Sequence, residues 1–185
     1  MGIFGDFGNP TFGLRDLKIA TWNSAANYGT AVDIPSAQLY EVSPQTVNAQ
    51  LEGDDVITAT HAFAISSQVR IRFGSVPLEV LQILTGNTYD SYGTTPSRIR
   101  SLVIDDVSFP YFGICGKAIS TEDSGDMHIF VPKLKVLEGF TIGFQYGQFS
   151  IPEITCMAVP GINNKIVEYI LHETAASVAI PPVYS

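Results

Sequence analysis

The sequence predicts a mainly β fold, a β-sandwich or strongly curled antiparallel sheet with one flanking α-helix, on three observations. A two-residue alternation crosses a turn between Thr46 and Phe73, one stretch (Val76 to Thr85) carries helix signals, and the remainder is β-branched and aromatic runs separated by turn residues. The 185 residues suit a single domain with a real core, expected to span 1–185 with an N-terminal arm at 1–12 and a C-terminal arm at 179–185.

The first twelve residues are rich in glycine, with Phe4, Phe7 and Phe12 between, which reads as an arm that docks on something. Leu14 to Trp22 has a strand pattern, Asn23 to Gly29 reads as loop, and Val32 to Pro35 leads into a strand over Ala37 to Val42. Ser43-Pro44 is expected to interrupt that strand, because proline cannot donate to a ladder.

The main hairpin follows. Before the turn Val47, Ala49 and Leu51 are apolar and Thr46, Asn48, Gln50 and Glu52 polar. After it the odd positions from Ile57 to Phe73 are mostly apolar, and the even ones small or polar. A one-residue slip would set apolar against polar side chains throughout. Parity therefore predicts Leu51 facing Ile57, Ala49 facing Ala59 and Val47 facing His61, around a loop at 53–55 or a longer one of the same register. Unbroken, the second strand would reach roughly 55 Å at about 3.3 Å per residue, with a bend or bulge expected among Ala62, Ala64, Ser66 and Ser67. Something must cover the odd face, since ordering each residue costs about 1–2 kcal/mol and each large apolar side chain returns only about 1.5–3.

The helix is the expected cover. Ser75 is placed to cap it, Pro77 lies in the first turn, Glu79 complements the dipole and Gly86 ends it. Leu78, Leu81 and Leu84 form its expected buried face, and Val80 and Ile83 widen that face so that it is buried on more than one side.

Beyond it, Asn87 to Ser97 reads as a polar insertion loop. Strands are expected over Arg98–Asp105, Tyr111–Ile119, Asp126–Val131, Phe140–Thr155 and Lys165–Glu173, with a turn at Thr121–Asp126 and an extended tail from Ala179. Gly139, Gly143 and Gly147, with Phe140, Phe144, Tyr146 and Phe149 between them, suggest a bent strand whose aromatics pack on the helix.

Catalytic patterns are missing. His61, His128 and His172 stand far apart and read as structural; no HExxH, C-x-x-C, Gly-x-Ser-x-Gly or P-loop lysine occurs, so no enzyme, metal or cofactor is expected. Asp54-Asp55 and Asp105-Asp106 point to opposite faces if extended, and Glu122, Asp123 and Asp126 lack calcium-loop spacing. Cys115 and Cys156 fit no redox motif and read as buried thiols.

Eighteen acidic against ten basic residues, a net charge of −8, argue against a general nucleic-acid binder, which needs cations to displace phosphate counterions. No charged-then-apolar leader, no long apolar run and no glycosylation acceptor lacking proline is present, so the chain is expected in a cytoplasm or a particle and not in a membrane.

A long hairpin with no lysine or proline after Pro44 has open edges that invite another chain, and a head-to-tail contact about an axis closes into rings that stack as a tube. In such a ring Asn48, Gln50, Glu52, Thr58, Thr60, Ala62, Ala64 and Ser66 would face the lumen.

The run Leu51-Glu52-Gly53-Asp54-Asp55, the strand His61 to Phe73, the small helix Pro77 to Leu84 and the closing Lys165–Thr174 strand with its proline-ended tail together resemble the major tail tube proteins of long, non-contractile-tailed bacteriophages. The fold is related to contractile-tail tubes and to the type VI secretion tube protein. The resemblance implies a virion protein assembled in the host cytoplasm, hexameric rings in which the long hairpins form an inter-subunit barrel, a tape-measure protein inside, terminator and tip proteins at the ends, and DNA passing without specific binding. It also implies that Gly53, Asp54 and Asp55 form the ring-stacking loop and that the two arms are inter-subunit joints. Arg70 and Arg72 depart from a slippery wall and are expected to pair with acids or to follow a bend. The alternative reading is a β-sandwich binding module for a glycan or peptide on a virion or cell surface, with Tyr89, Tyr92 and Tyr111 as its aromatic patch.

Overall fold

The computed structural model describes residues 11–24, 27–53, 56–75, 77–106, 108–120 and 125–182; at 11, 12, 49–53, 56–61, 120 and 162 the description is of the backbone alone. In chain order the elements are β1 (Thr11–Ser24), β2 (Asn27–Tyr28), β3 (Val32–Asp33), β4 (Ala37–Gly53), β5 (Val56–Phe73), α1 (Leu78–Thr85), β6 (Tyr89–Tyr92), β7 (Ile99–Leu102), β8 (Phe112–Ser120), β9 (Asp126–Val136), β10 (Glu153–Ala158) and β11 (Glu168–His172). Nine strands make one antiparallel sheet in the order β2-β1-β8-β9-β10-β5-β4, with β3 joined to β1 and β11 to β9, while β6 and β7 form a hairpin of their own.

The sheet curls on itself. Tyr40 of β4, at one end of the strand order, packs on Gly116 of β8 and donates its hydroxyl to Ile129 O of β9 at 3.3 Å. A Cβ at Gly116 would come within 2.5 Å of the Tyr40 ring, so only glycine admits this approach. Inside the curl Leu17, Ile19, Val69, Ile71, Phe73, Phe112, Ile114, Leu134 and Ile154 are buried together with Val80 and Leu84 of α1. On the far face a smaller cluster joins Cys115, Phe130 and Val178. Both thiols are free and buried, and burial pushes each up to about 12.

The helix begins at Leu78, two residues later than expected, because Ser75 does not cap it: its hydroxyl donates to Pro35 O at 3.4 Å, and Pro77 occupies the N-cap. Leu81 and Leu84 are buried and Leu78 is half-buried against the core. Gly86 closes the helix in the left-handed region (φ +79°), its N–H donating to Gln82 O at 2.8 Å.

Several boundaries differ from expectation for local reasons. The polar stretch after α1 contains β6, which pairs Tyr89 with Leu102 and Tyr92 with Ile99. The strand from Asp126 runs on to Val136, past Pro132, because the β8–β9 register shifts there and a bulge needs no donor from proline. The expected strand over Phe140–Thr155 forms only as β10 and a lone bridge from Thr141 to Glu153. Phe144, Tyr146 and Phe149 consequently stand exposed instead of packing on α1.

Candidate functional site

The longest pairing in the molecule is between β4 and β5, and it divides into two parts. From Ser67 to Arg72, β5 is flanked by β4 on one side and β10 on the other. From Val56 to Ser66, among the described residues, its pairing is to β4 alone. Beyond Ser66 the hairpin is therefore a projecting two-stranded ribbon, with ladder groups open along both margins.

Three irregularities set its faces. The ladder carries to Gly53 and Val56, leaving only positions 54 and 55 between paired residues, which sets odd against even at the tip. A shift between Leu51 and Glu52 skips Thr58 and restores odd against odd. Leu51 thus meets Ala59, Ala49 meets His61 and Val47 meets Phe63, two residues from the expected partners but with parity kept. The expected loop of three or five residues is shorter, and Asp54 and Asp55 themselves lie outside the described residues.

The second shift, between Gln45 and Thr46, skips Ile65. It falls within the stretch where a bulge was expected and answers a change of parity in β4, whose apolar positions are even at Tyr40 and Val42 but odd at Val47, Ala49 and Leu51. The third, between Ala37 and Leu39, lies at the start of the hairpin. Strand β4 continues through Pro44 without a break, since it is the last strand of the sheet and its open edge needs no N–H there.

Successive residues of a strand face opposite sides, so the even face of the ribbon (Thr46, Asn48, Ala62, Ala64) continues the side that carries Tyr40, Val42, Val69 and Ile71 at the root. The apolar side, Val47 and Phe63, continues the side that carries Glu41, Ser43, Gln68 and Arg70. At the root Val69, Ile71 and Phe73 share the core with Val80 and Leu84 of α1, as expected, but along the ribbon the apolar face does not rest on the chain's own helix. Helix α1 meets β1, β3 and β6, and Val47, Phe63 and Ile65 are 40%, 47% and 46% exposed.

Of the residues expected to face a lumen, Asn48, Ala62 and Ala64 are exposed and Ser66 is half-buried. The side chains of Gln50, Glu52, Thr58 and Thr60 lie outside the described residues, although the backbone pairs Gln50 with Thr60 and Glu52 with Ile57. Gly53 is the last paired residue of β4.

Arg70 and Arg72 follow the bulge and are paired with acids. Glu153 of β10 accepts from Arg70 Nη2 at 2.5 Å and from Arg72 Nη2 at 2.6 Å, and Glu41 lies 3.5 Å from Arg70 Nη1. Hydrogen bonds from Arg72 and then Arg70 hold the Glu153 carboxyl below its ordinary value.

The tyrosines of the alternative reading are spoken for in two places. Arg100 lies 5.6 Å over Tyr89 and pairs with Glu79, whereas Tyr111 meets Trp22 edge-on and sits under Lys133 at 4.4 Å. Tyr92 is exposed. Among the described residues no three His, Cys, Asp or Glu side chains gather as metal ligands, and no helix is long and apolar enough to cross a membrane.

One cluster escapes sequence reasoning altogether. Pairing of β8, β9 and β11 brings Lys117, Asp126, His128 and His172 together, although His172 is 44 positions from His128. Only the matching alternation of Asp126 and His128 hinted that both would face one side.

The ribbon and sheet define a class in architectural terms: a curled antiparallel sheet with one covering helix and a hairpin that outruns its domain. No family model matches the chain, and no curated protein matches it. Two solved structures resemble it in backbone. One is the sheath-tube complex of an extracellular contractile injection system (PVC) in its extended state, 14% identical with a TM-score of 0.45, the match covering 91% of this chain and 95% of that one. The other is the tube terminating cap of the anti-feeding prophage (AFP), 12% identical with a TM-score of 0.45, covering 93% of this chain and all of that one.

Proposed function

We propose that this chain is a structural subunit of a phage-type tail, polymerising with copies of itself through the β4–β5 ribbon into stacked, hexameric rings that form a tube for DNA. The ribbon carries the reading. It extends eleven residues past the last residue that β10 pairs (Ser66 to Val56), with open margins, with Val47 exposed on the side away from its own core and with Ile65 exposed at the bulge. A ribbon of this length is not stable alone in water. Ribbons laid side by side about an axis would satisfy the margins by continuing the ladder, and the apolar side would be covered by the neighbour's body.

The other face suits a conduit. Its described side chains, Thr46, Asn48, Ala62 and Ala64, are uncharged and small or polar, so a polyanion would find nothing there to grip. The arginines, the side chains suited to holding DNA, lie past the bulge and are paired with Glu153 and Glu41. No catalytic step is assigned to the chain. The tape-measure, terminator and tip proteins implied by the sequence resemblance remain partners of the assembled tube in this reading.

Negative-stain imaging of the purified protein at rising concentration tests it. Wild type is expected to give rings with six-fold class averages and then tubes. The double substitution Val47→Arg with Ile65→Arg is expected to leave the circular dichroism spectrum unchanged and to abolish rings. Single particles of monomer size at every concentration would remove the proposal.

A further inference from the structure

The far face of the sheet is covered by the chain's last described segment, residues 174–182, and the way it is held is unusual. Both polar groups of the Ala176 peptide are taken by a buried ion pair: Ala176 N–H donates to Asp126 Oδ2 at 2.8 Å, and Lys117 Nζ donates to Ala176 O at 2.8 Å while lying 2.9 Å from the same Asp126 oxygen. Val178 then drops into the small cluster with Cys115 and Phe130. Directly beside this clasp His128 and His172 meet with their rings tilted at 54° and ring centres 4.5 Å apart. His128 is 2% exposed and its Nε2 has no hydrogen-bond partner. The two rings and residues 174–177, Ala179 and Pro182 line a partly open pocket of about 370 Å³.

We propose that His128, set against His172, is an acid-sensitive latch: its protonation loosens segment 174–182 from the sheet while the rest of the fold stays closed. Burial sets the direction first, and the charges facing His128 add to it or oppose it. Lys117, its cross-strand neighbour on β8, and His172 on β11 oppose a positive ring, whereas Asp126 on β9 and Asp16 on β1 favour one. Segment 174–182 itself brings no ionisable side chain. Asp126 already receives Lys117 and Ala176, and so is committed to the clasp. A proton on His128 would sit on a buried ring whose Nε2 has no hydrogen-bond partner and which has Lys117 against it, and opening relieves that cost.

The pH window follows from the same groups. Burial, then His172 and Lys117, hold His128 below its ordinary value of 6.5. Such a group takes its proton more readily in the open state, so docking is favoured above that value and weakens as pH falls below it. Burial raises Asp126, but the bonds from Lys117 and Ala176 outweigh it and leave the carboxyl below its ordinary 3.8. Its contribution is therefore intact until pH falls beneath that value. Between the two values His128 governs the latch.

Hydrogen–deuterium exchange of the full chain at pH 7.5 and 5.5, corrected for intrinsic rates, tests this. Peptides covering 174–182 are expected to lose protection at least tenfold at pH 5.5, while those covering 67–73 and 153–158 keep theirs. His128→Gln with His172→Gln should flatten the response. If that double variant does not fold, His172→Gln, at a half-buried position, should shift the loss to lower pH. Equal protection at both pH values in wild type, loss spread equally over the core peptides, or an unaltered response in the variant read would each overturn the latch.

Discussion

The root and the projecting part of the β4–β5 hairpin are made of the same two strands with the same alternation, yet one is core and the other is surface. At the root Val69, Ile71 and Phe73 are at most 1% exposed, enclosed between β1, β8, β10 and α1. A few residues on, Phe63 and Ile65 are nearly half exposed, Phe63 on the opposite side of the ribbon from that core and Ile65 at the bulge. The difference teaches that a period of two establishes which side chains share a face, but not whether the molecule has anything to lay on that face. One skipped residue at Ile65 turns the apolar side from inward to outward, without any change in composition.

Substitutions at matched isoleucines test that contrast most strongly. Ile71→Ala should destabilise the monomer by about 2–5 kcal/mol, the transfer loss plus the cavity left in a closed site, read as a lower midpoint in urea denaturation. Gly116→Ala should cost about 1–3 kcal/mol, because the new Cβ meets the Tyr40 ring and prises β4 from β8 at the root. Ile65→Ala should change monomer stability by no more than about 0.5 kcal/mol in the same assay, since half the side chain is already in water. A loss at Ile65 as large as that at Ile71 would mean the ribbon is packed within the monomer.

The weakest expected effect belongs to the arginine–glutamate contacts that mark the boundary between the two parts. They are solvent-facing, so Glu153→Gln should leave the denaturation midpoint almost unmoved. Their pH signature is still legible. Glu153 is held below its ordinary value of 4.5, so what it adds to stability is present above that value and fades as pH falls through its lowered folded-state value. Carboxyl chemical shifts in a pH titration should show Glu153 titrating below its ordinary 4.5; a midpoint at or above that value would mean that the pairs with Arg70 and Arg72 do not persist in solution.

Much of the local structure was legible in the residues themselves. The alternation around the turn specified the hairpin and its parity, the apolar stretch ending in Gly86 specified α1, and β-branched runs located β1, β8 and most of β9. These features are local, because side-chain direction, a left-handed glycine and the missing N–H of proline depend on a few neighbours along the chain. Where proline was read as a stop, at Pro44, the reading failed, and the strand expected to end at Val131 runs on past Pro132, because a sheet edge and a bulge each excuse the missing donor, and neither is visible without the partner strand.

Composition and order alone therefore determined a mainly β chain, with a helix after its longest hairpin and two thiols outside any redox motif. Only the tertiary structure decided that the sheet curls with Tyr40 over Gly116, that the ribbon's apolar side faces away from its own core, that Phe144, Tyr146 and Phe149 stay in water, and that His128 and His172 meet beneath Ala176. Each of those outcomes depends on contacts between residues far apart in sequence, whose register is settled by bulges and crossovers that leave no periodic trace in either strand alone.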